Sequence, residues 1–321
     1  MSAGRGPLVV EVTRGERVES RHEVDAVVVT ADGSVVDAWG DPGTWVMPRS
    51  AVKPIQAIPL VAGGSADAFD LSDVELALAC ASHGGEPDHV VAVTRWLERI
   101  GASPADLACG AHRPLYDHAA MSLGPGVEPT AVHNNCSGKH AGFLTLCLHH
   151  GLPIDGYTEP AHRLQSGYVT PVVGEWCGVD LSGQTPVVDG CGIPVWALPL
   201  ERLATGWARL GAGQEGSPEF RLLEAMRSEP FYVAGTDRAC TRLISAGSRR
   251  LVVKTGAEGV FCATLPDDGL GLALKVRDGA GRASDAAVTW LLQRLGGLPD
   301  LPDAVLTNRA GAVVGVVRVR G

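Results

Sequence analysis

The two ends of this chain are written for strands and its middle for helices, and that division limits the fold more than any other feature. Leu8 to Val12 and Val24 to Val29 are short β-branched runs, and the Asp32-Gly33 turn leads on into Val35 to Trp39, so at least one tight hairpin is expected. Near the other end, Leu251 to Lys254, Gly259 to Thr264 and Leu272 to Arg277 are separated by glycine-bearing turns, and Ala312 to Val319 is a further strand candidate. Connections this short join antiparallel neighbours, because a parallel pair needs a crossover of about a dozen residues or more. Between the ends, Ala51 to Val61, Asp73 to Ala81, His89 to Ile100, His140 to His149, Ala161 to Trp176, Trp196 to Leu210, Glu219 to Arg227 and Asp237 to Ile244 suit amphipathic helices, as does Ser284 to Leu295 between the last strands. The predicted class is α+β: an antiparallel sheet from about residues 1–45 and 250–321, with a large helical insertion over about 50–248 packed against it. No Ser/Pro/Gly-rich or charge-rich linker divides the 321 residues, so a single domain is expected.

Charge narrows the partners. The net charge is −9 with no basic run, which argues against nucleic acid, whose phosphates need clustered Lys and Arg. No apolar stretch approaches the ~20 residues of a membrane helix, and the apolar run before Glu11 is too short for a secretion signal. The expectation is a cytoplasmic protein acting on a small molecule, its eight cysteines reduced.

Only four of the 27 basic residues are lysine: Lys53, Lys139, Lys254 and Lys275. A surface cation can evidently be arginine here, so each retained lysine is a candidate for what arginine cannot do: lose its proton or coordinate through a free amine. Ser50 and Lys53 stand at i and i+3 where a helix begins, one turn apart, with Pro54 tolerable in the first turn. A serine nucleophile needs an adjacent base, and a neutral lysine can serve. Acting near neutrality, that lysine must be displaced by about 4 kcal/mol from its ordinary ionisation, which burial and a second cation supply. Lys254-Thr255-Gly256, after the strand-like Leu251 to Val253, offers that cation, and S-x-x-K with K-T-G is the pairing of serine–lysine acyl transferases.

Three further stretches carry chemistry. Cys80-Ala81-Ser82-His83-Gly84-Gly85 reads either as an oxyanion-binding turn exposing a hydroxyl, an imidazole and backbone N–H groups, or as a glycine C-cap. His133-Asn134-Asn135-Cys136-Ser137-Gly138-Lys139-His140 holds two of the three asparagines and repeats the i, i+3 spacing at Cys136 and Lys139. Asp189-Gly190-Cys191-Gly192 places a carboxylate and a thiol in a tight turn. Cys136 and Cys191 read as metal ligands or as ordinary reduced thiols, there being no C-x-x-C pair.

Taken together, RSAVKP, CASHGGEPDH, HNNCSGKHAGF, DGCGIPVWALPL and KTGAEGV resemble the class 3, rhizobial-type L-asparaginases of the asparaginase II family, over Val10 to Val319. The resemblance implies a homodimeric amidohydrolase of serine β-lactamase and glutaminase-like fold, releasing ammonia from L-asparagine. It implies two Ser-Lys tandems, Ser50 with Lys53 and Ser82 with Lys254, and a zinc site of Cys136, Lys139 and Cys191 that tunes substrate binding. Arg49, His83, Asn135 and Asp189 are the expected substrate-binding residues, Arg49 and Asp189 reading equally as partners in structural ion pairs. Which serine attacks is open, although Lys53 is needed in either case, and Lys275 competes with Lys254 for the second tandem. The rival functions are a serine amidase of β-lactamase or penicillin-binding type and a non-catalytic amino-acid-binding protein.

Overall fold

The computed structural model describes residues 5–124 and 126–320. They form two compact units, one of Met1–Ala51, Ala197–Ala212 and Ala246–Gly321, the other of Val52–Trp196 and Gly213–Ser245.

The first unit is built on an antiparallel sheet contributed by both chain ends, as expected of the α+β class. Its order is Ala304–Thr307, Val313–Arg320, Leu8–Arg14, Arg17–Thr30, Leu270–Val276, Val260–Leu265 and Val252–Thr255. The long strand Arg17–Thr30 organises it. Its first half pairs with Leu8–Arg14, with Glu11 opposite Arg21, and its second half pairs with Leu270–Val276 on one edge and Val35–Trp39 on the other. Asp25 to Val29 and the whole of Val260–Leu265 are buried residue after residue, which requires cover on both faces. Helices Leu200–Gly211 and Gly281–Arg294 pack on this sheet. Leu200, Leu203, Ala204, Trp207 and Ala208 make the inward stripe of the first, and Trp207 Nε1 donates to the Ala51 carbonyl at 3.0 Å. The helical part predicted over about 50–248 is therefore interrupted, since Leu200–Gly211 belongs with the sheet.

The second unit gathers around helix Ser137–His149, in which every residue from Ser137 to Cys147 is buried. Helices Lys53–Ala62, Ser65–Ala68, Asp73–Ala79 and Pro87–Arg99 pack against it. Gly138 makes the closest of these crossings, since a Cβ there would fall inside van der Waals contact of the Leu78 carbonyl. Asp117–Ser122, Thr170–Cys177, Pro218–Ser228, Pro230–Ala234 and Ala239–Ala246 are further helices.

Three local departures have simple causes. The segment predicted as one helix over Ala161 to Trp176 contains a π-helical turn at Gln165–Val169, where Pro171 has no N–H to give Gly167. Helix formation predicted from Trp196 starts only at Leu200: Leu198–Pro199 pairs as a strand with Trp45–Val46, because a residue before proline is pushed out of helical space. The strand Ala304–Thr307 was not predicted; it is four residues at an exposed edge, too short to show a period. No described helix is long and apolar enough to cross a membrane.

Candidate active site

Lys53 is the first residue of helix Lys53–Ala62, 1% exposed, with Pro54 in the first turn as expected. Its Nζ donates to the Ala81 carbonyl at 2.5 Å and lies 3.0 Å from Ser82 Oγ and 3.1 Å from Cys136 Sγ. The lysine of the first expected tandem thus meets the serine of the second, a contact absent from the sequence reading. Ser50 does not cap the helix: Arg49–Val52 forms a 3-10 turn and Val52 takes the cap position. Arg49 there has φ +49°, left-handed space that a residue with a side chain enters at a cost.

The Ser82 turn is not a glycine C-cap. Helix Asp73–Ala79 is closed by Cys80, and the glycines lie further along. Gly85 has φ +71°, and its absent Cβ would stand 2.7 Å from the His133 carbonyl, so the glycine lets this turn lie directly on the 133–137 segment. His83 ties the two together. Gly85 N–H donates to His83 Nδ1 at 3.1 Å, which leaves the ring's proton on Nε2, 2.9 Å from Ser137 Oγ. The His83 N–H donates to the Asn135 carbonyl at 3.1 Å, and Ser137 Oγ donates to the Val132 carbonyl. Burial, reinforced by His89 and Lys53, holds His83 well below the ordinary histidine range, so the ring is neutral.

Behind the turn, segment Phe231–Arg238 fixes its position. Ser82 N–H donates to the Val233 carbonyl at 3.0 Å. The Glu86 carboxylate accepts from Thr236 N–H at 2.8 Å and Thr236 Oγ1 at 2.6 Å. Burial is the largest influence and would raise the Glu86 pKa, but those two bonds together with His118 and His89 outweigh it and lower it. His89 stacks between His83 and Phe231, with centroids at 4.9 and 4.4 Å. None of Glu86, His89 or Thr236 was singled out in the sequence. The available signal was the EPDH that continues SHGG, with an acid just before a helix-opening proline.

The thiol–lysine set also assembles. Cys136 takes the N-cap position of Ser137–His149, and Cys191 sits in the turn of a small hairpin, Val187–Val188 against Pro194–Val195, closed by Asp189 N–H donating to Ile193 O at 2.9 Å. Lys139 Nζ is 3.0 Å from Cys191 Sγ. The neighbouring Cys191 thiol, with the charges of Lys53 and Lys139, holds Cys136 well below the ordinary thiol range despite its burial. Cys191 is pushed up by Cys136 and by burial. Burial is the largest influence on Lys139 and disfavours its charge, yet Cys191, Cys136 and Asp189 together outweigh it and raise its pKa. Among the described residues, no cluster of three or more His, Cys, Asp or Glu is placed to hold a metal. Two thiols and an amine suit a soft-tolerant ion such as zinc, with Lys139 surrendering its proton.

Asn134 holds this region in register. Its Nδ2 donates to the Cys109 and Gly110 carbonyls at 2.8 and 2.9 Å, and its Oδ1 accepts from Cys136 N–H at 2.8 Å. Asn135 is half-buried and engages through its backbone, its N–H donating to His112 Nε2 at 3.1 Å. Asp189 is half-buried and accepts from Gly190 N–H.

In the sheet unit, Lys254 is fully buried on strand Val252–Thr255 and donates to the Thr255 carbonyl at 2.8 Å. Lys275 donates to the Glu258 and Val276 carbonyls at 2.7 and 2.5 Å, which ties down the turn before strand Val260–Leu265.

No curated protein matches this chain. Among solved structures, it is similar to a β-lactamase from Mycobacterium bovis at 14% identity and TM-score 0.41, over 86% of this chain and 95% of the other. A second, titled as a β-lactamase from Bacteroides dorei DSM 17855, is 13% identical with TM-score 0.43, over 85% and 94%. The sequence pattern described as L-asparaginase II matches residues 10–319, nearly the whole length, and the chain belongs to that family.

Proposed function

We propose that this chain is a rhizobial-type L-asparaginase that hydrolyses the side-chain amide of L-asparagine by serine–lysine covalent catalysis. The observation that carries this reading is the fully buried Lys53 amine, 3.0 Å from Ser82 Oγ and 3.1 Å from Cys136 Sγ, which joins the serine–lysine pair to the thiol–lysine set.

Ser50 attacks the side-chain carbonyl carbon, and its proton passes to Lys53. Backbone N–H groups hold the oxyanion. The Ser82 hydroxyl, in contact with Lys53, returns a proton to the departing nitrogen, which leaves as ammonia. Water then cleaves the ester to aspartate, reprotonating Ser50. On the motifs, Arg49 takes the α-carboxylate and Asp189 the α-ammonium, with Asn135 a further substrate-binding residue. His83, both ring nitrogens occupied, shapes the wall.

Cys136, Lys139 and Cys191 would hold zinc, which when bound adjusts substrate binding and activates no water. Their preorganisation by Asn134 and by the hairpin at Cys191 supports that assignment.

Exchanging the serines' roles is a second reading, favoured by the Lys53–Ser82 contact. Acyl-enzyme trapped in acid and located by peptide mass decides it: Ser50→Ala abolishes trapping if Ser50 attacks, Ser82→Ala if Ser82 does. Ammonia release from L-asparagine and L-glutamine, with zinc and oligomer mass determined on the same sample, tests the proposal. Turnover of L-asparagine by a zinc-bearing dimer is expected, and inactivity on both amides would overturn the assignment.

A further inference from the structure

Arg238 is half-buried, and among the described residues no carboxylate pairs with it, although Arg227, Arg277 and Arg318 each find one. Its guanidinium has two other contacts. Cζ lies over the ring of Tyr116 at a stacking distance, 4.1 Å from the centroid, and Nη1 donates to the Ser82 carbonyl at 3.5 Å. Stacking occupies the face of a guanidinium and leaves its edge, along which every N–H points, for an in-plane partner. A single long bond engages that edge here, so most of it can grip an anion, and a carboxylate matches it as a two-pronged acceptor. The mount is firm: Glu86 holds Thr236 through its N–H and Oγ1 at 2.8 and 2.6 Å, and the Arg238 N–H donates to the Gly235 carbonyl at 3.4 Å. Tyr116 is likewise tied in, since its segment carries His112, which accepts from the Asn135 N–H at 3.1 Å.

We propose that Arg238 binds the α-carboxylate of the amino-acid substrate, a second guanidinium for it besides the Arg49 assigned from the motifs, and so sets specificity for amides that carry one; the assignment rests on the asparaginase reading. Position selects the anion. Ser82, whose carbonyl Arg238 touches, is the serine whose hydroxyl lies 3.0 Å from Lys53 Nζ, so an anion on Arg238 sits within the reach of one residue from that pair. In L-asparagine the α-carboxylate is joined to the amide carbon through Cα and Cβ alone, and gripping the one keeps the other beside the pair. Because this grip is the same before and during the reaction, it lowers KM rather than raising kcat. An amide without the α-carboxylate gains nothing from it.

The test measures steady-state ammonia release from L-asparagine and its inhibition by L-aspartate and by β-alanine, which is L-aspartate without the α-carboxylate. It compares the unmodified protein with Arg238→Met and Arg238→Lys, the folding of both checked by circular dichroism. In Arg238→Met, KM for L-asparagine should rise about 10–100-fold, the usual worth of a hydrogen-bonded charge pair, with a much smaller change in kcat. Inhibition by L-aspartate should weaken by the same factor and inhibition by β-alanine should not. Lysine keeps the charge and loses the fork, so Arg238→Lys should recover part of the loss. A normal KM in Arg238→Met, a fall in kcat at constant KM, or equal weakening of both inhibitors, which a purely structural role gives, would each overturn the assignment. Unmodified protein that releases no ammonia yet binds L-aspartate by calorimetry, with that binding weakened in Arg238→Met, would count against the proposed reaction and not against Arg238. Absence of both ammonia release and L-aspartate binding would overturn both.

Discussion

Lys53 places its amine 3.0 Å from the hydroxyl of Ser82, 29 residues later in the chain, and the same nitrogen donates to the carbonyl of Ala81. Helix Lys53–Ala62 supplies the lysine and the turn after helix Asp73–Ala79 supplies the serine. On the proposed mechanism, this contact makes Lys53 the hub of proton movement whichever serine attacks.

Replacing Lys53 by Met or by Arg should therefore lower kcat by about 10²–10⁴-fold, the usual worth of a positioned acid–base group. Arginine keeps the charge but cannot give up its proton, so it should be no better than methionine. Steady-state ammonia release checks this; an arginine variant with near-normal kcat would remove Lys53 from the chemistry.

Asn134 spends its whole amide on backbone groups, two carbonyls and the Cys136 N–H. Asn134→Ala strands these in a buried site and should cost about 2–3 kcal/mol in urea-unfolding stability. Asn135→Ala, whose described bonds are made by its backbone, should cost under about 0.5 kcal/mol.

Two glycines of helix Ser137–His149 separate packing from propensity. At Gly138 a methyl group collides with the Leu78 backbone, whereas at Gly142 its nearest neighbours are side chains at 3.4–3.6 Å. Gly138→Ala should destabilise by roughly 1–3 kcal/mol, while Gly142→Ala should be neutral or stabilise by up to about 1 kcal/mol through helix propensity. Thermal unfolding of the pair gives the comparison.

Stability should fall in mild acid. The folded-state pKa of His83 lies well below its ordinary value of 6.5, chiefly through burial. Below pH ~6.5 the unfolded chain therefore binds a proton that the folded chain does not. The contribution is complete above pH ~6.5 and declines as pH falls, by at most about 1.4 kcal/mol per pH unit for this residue. Denaturation at pH 7.5 and 5.5 should show a shallower decline for His83→Gln than for the unmodified protein.

Much of this was legible in the sequence where local pattern decides. The strand Val35–Trp39 lies where the Asp32-Gly33 turn puts it, and Pro54 does mark a first helical turn. The scarcity of lysine pointed to Lys53, Lys139 and Lys254, all of which are buried, and Lys275 is half-buried on backbone carbonyls. What stayed hidden depends on contacts between distant residues. Nothing near Lys53 announces Ser82 or Cys136, and nothing near Glu86 announces Thr236, 150 residues on. Asn134 and Asn135 are neighbours of identical type, and only the fold distinguishes the one consumed by the backbone.

The most direct measurement is the joint yield of ammonia and aspartate from L-asparagine incubated with the purified chain. The account predicts the two products in a 1:1 ratio, formed catalytically and lost in the Lys53→Met protein. Absence of both, or ammonia that persists undiminished in Lys53→Met, would contradict it.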